Sequence, residues 1–448
     1  MIMILLNGVA TAMMLTGVNV ALPDIAKDLN VDARTLSWIP MGYLVASAAS
    51  VLAFGRLADM YGRKKFYLMG TLGVIISSVL TSLSQDVGQL IAGRVVQGIC
   101  AGALYSTMFA VLSSVYPESK RGEAIGYSVS AVYLGLALGP FIAGLVIEAF
   151  SWRLAFLLHV PLALVVLYIG SIYVKTEWRT DEFGTFDALG SLLYATGVVC
   201  FMLGVASGND SRSIPFLLVG AFLIYRFVKH EKTHRYPVFD VHMFFNQRVF
   251  SMSCLASLLM YTATFSTVVL VSLYLQYLKA ISPSQAGLIL MIQPAAMAGL
   301  SPFVGRLSDK IEPRVLASLG MVVTACGLGR LALVDSASEI TPVVMALFAI
   351  GLGFSLFSTP NAHAIMGSSV GNDYGRAASA MSVMRVLGQM MSMGMVALVF
   401  TSILGSQKIT VEVYDKLDFA LGVCFSAGTA LCLTGVILSL ARGRLHGR

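Results

Sequence analysis

Charge is the scarcest property of this sequence. Charged residues make up 12% of its 448 positions, and none of the 23 Asp and Glu falls near the middle of an apolar run; Asp59, Glu123, Glu148, Asp187 and Asp309 all lie at run ends. The first scarcity excludes a soluble domain of ordinary composition. The second removes the group that most readily carries a proton inside a membrane, a buried carboxylate. Cysteine is sparse too: Cys100, Cys200, Cys254, Cys326, Cys424 and Cys432 stand singly inside apolar runs, without pairing pattern or metal-type spacing. That excludes a disulfide framework and leaves them as inert packing residues. No apolar run holds a metal cluster, a nucleophile–base pair or a phosphate loop, so neither an enzyme nor a resident metal or cofactor is expected. Low-complexity tracts are absent. The first basic residue, Lys27, follows the first apolar run, which therefore reads as a retained helix and not as a signal peptide.

What the sequence does contain is 57% hydrophobic residues and a mean hydropathy of +0.81. Runs long enough to cross a hydrocarbon core of about 30 Å recur along its whole length. They lie near 2–22, 38–58, 67–84, 88–115, 122–149, 152–174, 184–207, 214–229, 249–277, 283–305, 314–333, 340–366, 376–403 and 417–441. Fourteen spans put both ends of the chain on one side. Most of the 30 Lys and Arg fall in loops of that same side, and the other has only Lys27, Arg34, Arg153, Arg212, Lys279, Lys408 and Lys416. By the positive-inside rule the richer side, with both termini, is cytoplasmic. The net charge of +7 is thus topological, and no nucleic-acid partner is expected. The expected setting is a cell membrane, and the expected state a monomer in the lipid bilayer.

Gly55-Arg-Leu-Ala-Asp-Met-Tyr-Gly-Arg-Lys-Lys65 returns about 250 residues later as Gly305-Arg-Leu-Ser-Asp-Lys-Ile-Glu-Pro-Arg314. That period is too long for a solenoid and close to half the chain, which predicts two related halves. The fold expected is all-α and integral to the membrane: six-helix bundles at 1–174 and 249–448 related by a pseudo-two-fold, with two inserted helices and their linkers at 175–248. The basic, His-containing stretch 226–248 reads as a solvated linker, with a surface amphipathic segment as the alternative. In the repeated loop, glycine permits a tight reversal, and Asp59 is placed to cap a helix or pair with the nearby basic residues.

Arg94-Val-Val-Gln-Gly98 puts a charge inside the fourth span, where it costs several kcal/mol unless paired or snorkelling to the membrane edge. The fifth span carries Gly126, Gly135, Gly139, Pro140 and Gly144, spaced Gly-x8-Gly-x3-Gly-Pro-x3-Gly; small residues on one face admit a neighbouring helix to backbone contact, and Pro140 removes a backbone hydrogen bond.

The Gly-x-Leu-Ala-Asp-x-x-Gly-Arg-Lys loop closely resembles the signature loop of the major facilitator superfamily. Arg-x-x-Gln-Gly resembles that family's second motif, and the glycine series in the fifth span resembles its antiporter signature. With Gly17-Val-Asn-Val-Ala-Leu-Pro-Asp24, Ser151-Trp-Arg-Leu-Ala-Phe156 and the span count, the whole chain resembles the fourteen-helix branch of drug:proton antiporters. The resemblance implies a cytoplasmic latch of Gly55, Asp59, Gly62, Arg63, Arg121 and Asp309. It also implies a role for Arg94 in proton coupling, with Gln97 on its face and His159 as a further titratable candidate. The sequence departs from the family where an Asp is often found in the first span; here that neighbourhood reads Met13-Met14-Leu15-Thr16, and His159 replaces the usual Asn before the proline of the sixth span.

Polar or amphipathic residues expected to line a central substrate cavity are Asn19, Tyr43, Tyr105, Tyr133, Tyr261, Tyr274, Gln293, Asn361, Arg385 and Gln389. For each, an interhelical hydrogen bond is an equally good account. The function expected is proton-coupled export of amphipathic small molecules by alternating access. The alternatives are an exporter or facilitator of organic anions or neutral amphiphiles without proton exchange, and a non-transporting sensor or assembly protein on the same fold.

Overall fold

A computed structural model of the protein describes residues 1–116, 118–179, 185–208, 210–308, 310–368 and 373–443. Among the described residues, fourteen helices are long and apolar enough to cross a membrane. They are α1 (Ile2–Asp28), α2 (Ala33–Tyr61), α3 (Arg63–Ser82), α4 (Val87–Val115), α5 (Glu118–Ala149), α6 (Trp152–Ile172), α7 (Ala188–Ser207), α8 (Ser213–Glu231), α9 (Arg248–Leu278), α10 (Pro283–Ser308), α11 (Pro313–Leu331), α12 (Thr341–Gly367), α13 (Asp373–Ile403) and α14 (Val411–Ala441). No β-strand occurs among the described residues. Lipid offers no hydrogen bonds, so a spanning backbone must satisfy itself, and the helix is the local solution. The acids missing from span interiors serve at span starts. Asp32 accepts from Thr35 N at 2.6 Å, Asp86 from Gln89 N at 2.9 Å and Asp187 from Gly190 N at 2.8 Å, each occupying an N–H that a helix start leaves open.

The helices pack as two related bundles. In the first, α1 lies on α5 and α6, α2 on α4, and α3 on α4 and α6; in the second, α9 lies on α13 and α14, α10 on α12, and α11 on α12 and α14. The bundles meet where α2 lies on α13 and α5 on α10. Since α10 is the counterpart of α2 and α13 that of α5, a two-fold exchanges these contacts. Of the inserted pair, α7 bridges α2 and α13, whereas α8 packs chiefly on α7 and leaves most of its surface to lipid. The chain after α8 is solvated in part and packed in part: Lys232, Thr233, Arg235 and His242 are exposed, whereas Glu231 accepts from Phe239 N at 2.8 Å and a short helix, Val241–Asn246, buries Val241 and Met243.

Contact between the bundles is tightest at the end away from Asp59 and Arg63. A Cβ on Gly144 of α5 would sit 2.3 Å from Pro283 O of α10, and one on Gly287 of α10 would sit 2.3 Å from Pro140 O of α5. At the same end Ser272 Oγ donates to Asn19 O at 3.1 Å, Gln276 Nε2 to Val20 O at 3.0 Å and Ala33 N to Gln407 O at 3.1 Å. Backbone-to-backbone approach without side chains makes this end a seal. Gly287→Leu is expected to wedge α5 from α10: spin labels at the sealed ends of those helices should move apart, and any transport should fall by about tenfold as the equilibrium shifts. An unchanged label distance would show that the seal does not depend on this approach.

Candidate functional site

Between the bundles lies a cavity of about 140 Å³, lined at mid-membrane and toward the end that carries Asp59 and Arg63. Tyr105, Tyr133 and Tyr261 give it aromatic walls with polar tips, Met108, Met297, Met381 and Phe354 make it apolar, and Arg385 and Gln389 are its strongest polar groups. Arg385 is the only charged residue on its wall among the described residues. Tyr133 Oη donates to Ser358 Oγ at 3.1 Å, which bridges the bundles across the cavity. The Arg385 guanidinium carbon stands 5.5 Å from the Tyr105 ring centroid.

From Tyr105 a polar chain leads into the first bundle. Its hydroxyl is 2.8 Å from that of Tyr43, and the Tyr43 ring faces Arg94, whose guanidinium carbon is 4.4 Å from the centroid. Arg94 is 1% exposed and has no carboxylate partner among the described residues. Neutral acceptors serve it instead: Arg94 Nε donates to Ile39 O at 3.3 Å and Nη1 donates to Gln97 Oε1. Gln97 Nε2 donates to Ser78 Oγ at 2.6 Å, and Ser78 Oγ is 3.0 Å from His159 Nε2. Counting hydrogens assigns the histidine. Ser78 has one, and Val74 O accepts it at 2.6 Å, so His159 carries its proton on Nε2 and donates. Its buried Nδ1 is then a bare acceptor with no hydrogen-bond partner. The opposite tautomer would bury an N–H without an acceptor, which is worse.

Residues predicted from sequence as a coupling group, Arg94, Gln97 and His159, are therefore in one network. Arg94 does not snorkel. The position of His159 follows from a break in α6 at 156–159, between Trp152–Ala155 and Val160–Ile172. Of the glycines in α5, Gly135 and Gly139 lie against α1, where added Cβ atoms would meet Val9 O at 2.4 Å and Thr16 Oγ1 at 2.4 Å. Gly144 belongs to the seal, and Gly126 has nothing within 4 Å of such a Cβ. Pro140 sits within a continuous helix.

Of the cavity candidates, Tyr105, Tyr133, Tyr261, Arg385 and Gln389 are on the wall, and Tyr43 stands one hydrogen bond behind it. Asn19, Gln293, Tyr274 and Asn361 stand elsewhere. Asn19 is in the seal, Gln293 is buried in α10, and Tyr274 donates to Asp335 O at 2.9 Å. Asn361 donates to Ser253 O at 3.0 Å and Ser257 Oγ at 2.8 Å, and accepts from Arg442 Nη1 at 2.7 Å. Arg442, which by sequence belongs to a basic loop, is 2% exposed and anchors the end of α14 to α9 and α12. Ser78 and Ser358 escaped the sequence reading because a small hydroxyl residue in a span looks the same whether it packs or bonds.

In the repeated loop, Arg63 Nε donates to Asp59 Oδ1 at 2.7 Å, and its Nη1 donates to Ala110 O at 3.2 Å and Ser114 Oγ at 2.6 Å of α4. Gly62 has φ of +118°, where a side chain would be strained, and a Cβ there would collide with Glu177 at 2.5 Å. Glu177 Oε1 accepts from Lys64 N at 2.8 Å, an anion at the N-terminus of α3, and Trp178 O accepts from Arg63 N at 2.8 Å. The lead-in to the inserted pair is thus docked on the loop. Asp309 and the Arg121 side chain lie outside the described residues.

Two helical bundles around a cavity sealed at one end define a membrane transporter and not an enzyme. The chain belongs to the Major Facilitator Superfamily, whose sequence model matches residues 4–393. It is similar to riboflavin transporter RibZ of Clostridioides difficile, at 27% identity over 82% of this chain and 80% of the relative. It is also similar to multidrug resistance protein Stp of Mycobacterium tuberculosis, at 29% identity over 83% and 70%. A solved peptide transporter POT in complex with sulfate shares the fold, with a TM-score of 0.73 at 14% identity, covering 99% of this chain and 94% of the other.

Gln97→Leu strips Arg94 of an acceptor and Ser78 of a donor. A loss of about 1–3 kcal/mol is expected, read as a lower melting temperature in detergent. Gln97→Glu, which keeps the acceptor, should recover most of it.

Proposed function

We propose that this protein is a proton-coupled exporter of amphipathic small molecules in the cytoplasmic membrane, with both termini in the cytoplasm. The bundles 1–174 and 249–448 rock about the cavity, and 175–248 supplies the inserted pair. The observation that carries this reading is the continuous path from the cavity residue Arg385 through Tyr105 and Tyr43 to Arg94, Gln97, Ser78 and His159. A substrate in the cavity and a proton on the bare Nδ1 of His159 would act on one chain of hydrogen bonds and cation–ring contacts, so each would be felt at the other's site. Names of relatives, among them the drug efflux pump JefA of Mycobacterium tuberculosis at 26% identity over 87% of this chain and 77% of its own, agree with export. With the seal opposite the basic loops, the state described is open to the cytoplasm. Gly55, Asp59, Gly62, Arg63, Arg121 and Asp309 would then form the latch that closes that side in the other state.

The cavity volume is comparable to that of apolar cavities of about 150 Å³ that take one benzene ring, so a single aromatic ring of a substrate would fit against the tyrosines. A second reading, export of organic anions or neutral amphiphiles without proton exchange, is favoured by Arg385 as the charged group on the cavity wall among the described residues.

Reconstituted into proteoliposomes, the protein is expected to accumulate a fluorescent aromatic amphiphile in response to an imposed pH gradient, and a protonophore should abolish that accumulation. Transport indifferent to the gradient would sink proton coupling and leave the second reading. Arg385→Gln is expected to weaken binding of anionic amphiphiles by about tenfold while leaving neutral ones within about twofold. The check is ligand-induced thermal stabilisation at matched concentrations.

A further inference from the structure

Where α7 begins and α8 ends, Asp187, His230 and His234 bring their ligand atoms within 4.8 Å of one another. His230 Nε2 lies 2.9 Å and His234 Nδ1 lies 3.6 Å from Asp187 Oδ2. A tetrahedral zinc ion with bonds of about 2.0–2.1 Å separates its ligands by about 3.3 Å, and the two distances to Asp187 Oδ2 lie on either side of that value. The two imidazoles come from positions one helical turn apart, with ring centroids 5.1 Å apart, and each is about a quarter exposed, which leaves a way in from water. Asp187 is 3% exposed.

The independent observation is Glu231. It is 1% exposed; its Oε2 accepts from Phe239 N, and its buried Oε1 lies against the Asp187 carboxylate. A Cβ on Gly190 would sit 2.4 Å from both Glu231 Oε1 and Asp187 Oδ2. The missing side chain therefore lets two buried carboxylate oxygens turn to the same point. Two carboxylates so placed repel unless a cation or a shared proton lies between them.

We propose that Asp187, His230 and His234 bind one divalent transition ion of the zinc class beside the Glu231 carboxylate, an ion that clasps the inserted helix pair at its cytoplasmic end. Two imidazoles and one carboxylate suit zinc or cobalt better than magnesium or calcium, which take oxygen ligands. Two carboxylates with two neutral imidazoles also balance the ion's charge. Binding replaces the direct Asp187–His230 bond and the 3.3 Å bond from Tyr236 N to His234 Nδ1. The clasp would fix the lead-in that is docked through Glu177 on the loop of Asp59 and Arg63. It stands apart from the cavity and does not depend on the substrate.

Full-length protein without a polyhistidine tag, stripped of metal in detergent, is titrated with Co²⁺. The expected result is one ion per chain, with the visible absorption of a tetrahedral N/O site, no thiolate charge-transfer band, and displacement by Zn²⁺. His234→Ala and Asp187→Asn should each weaken binding by at least about tenfold, while His242→Ala, outside the cluster, should not. Zn²⁺ should raise the melting temperature of the wild type and not of His234→Ala. Should a variant fail to fold, protection of His230 and His234 in the wild type from diethyl pyrocarbonate by Zn²⁺ decides the matter. Absence of binding, equal binding by His234→Ala, or no protection overturns the proposal and leaves a proton shared between the carboxylates.

Discussion

Arg94 is a full charge buried in a membrane with no acid beside it among the described residues, and the polar interior of the first bundle is arranged around it. Its guanidinium must spend its hydrogens on neutral acceptors. Ile39 O, Gln97 Oε1 and the face of Tyr43 take that load, and each brings further demands. Gln97 needs an acceptor and finds Ser78, which in turn fixes the tautomer of His159. Tyr43 needs a partner for its hydroxyl and finds Tyr105, on the cavity wall. A low-dielectric setting makes every broken member of such a chain expensive, so its geometry is stiff.

The second bundle solves the same problem differently. Arg442 is also buried, but at the end of α14, where Asn361 and Ser253 hold it. That arrangement ties helices together and stays off the cavity wall. The two-fold relation of helix packing thus does not extend to the polar groups, and the asymmetry puts the path from cavity to Arg94 in one bundle alone.

Three features link the moving parts. Backbone contact at Gly144 and Gly287 seals one end. At the other end Arg63 is bonded to Asp59 and to α4, within the first bundle. Between them, α7 spans the seam of α2 and α13, and its lead-in rests on the loop through Glu177 and Trp178. The inserted pair is therefore in contact with both bundles and with the loop.

Much of this was legible in the amino-acid order. Apolar run length determines a spanning helix because lipid leaves the backbone no other partner, so fourteen spans, two halves and an inserted pair could be counted directly. Arg94, Gln97 and the glycines of α5 stood out because a charge or a run of small residues inside a span has few explanations. Asn361 and Arg385 looked alike in sequence, since both are polar residues within apolar helices; only the rotation of each helix about its own axis turned Arg385 to the cavity and Asn361 to Ser253 and Arg442. Likewise Asp187 is separated from His230 and His234 by all of α7 and α8. The sequence by itself determined how many helices cross the membrane and which charges they must bury, because both are properties of single segments in contact with lipid. Which polar groups meet was decided by helix rotation and close approach at glycine, which are properties of pairs of segments, and only the tertiary structure contains them.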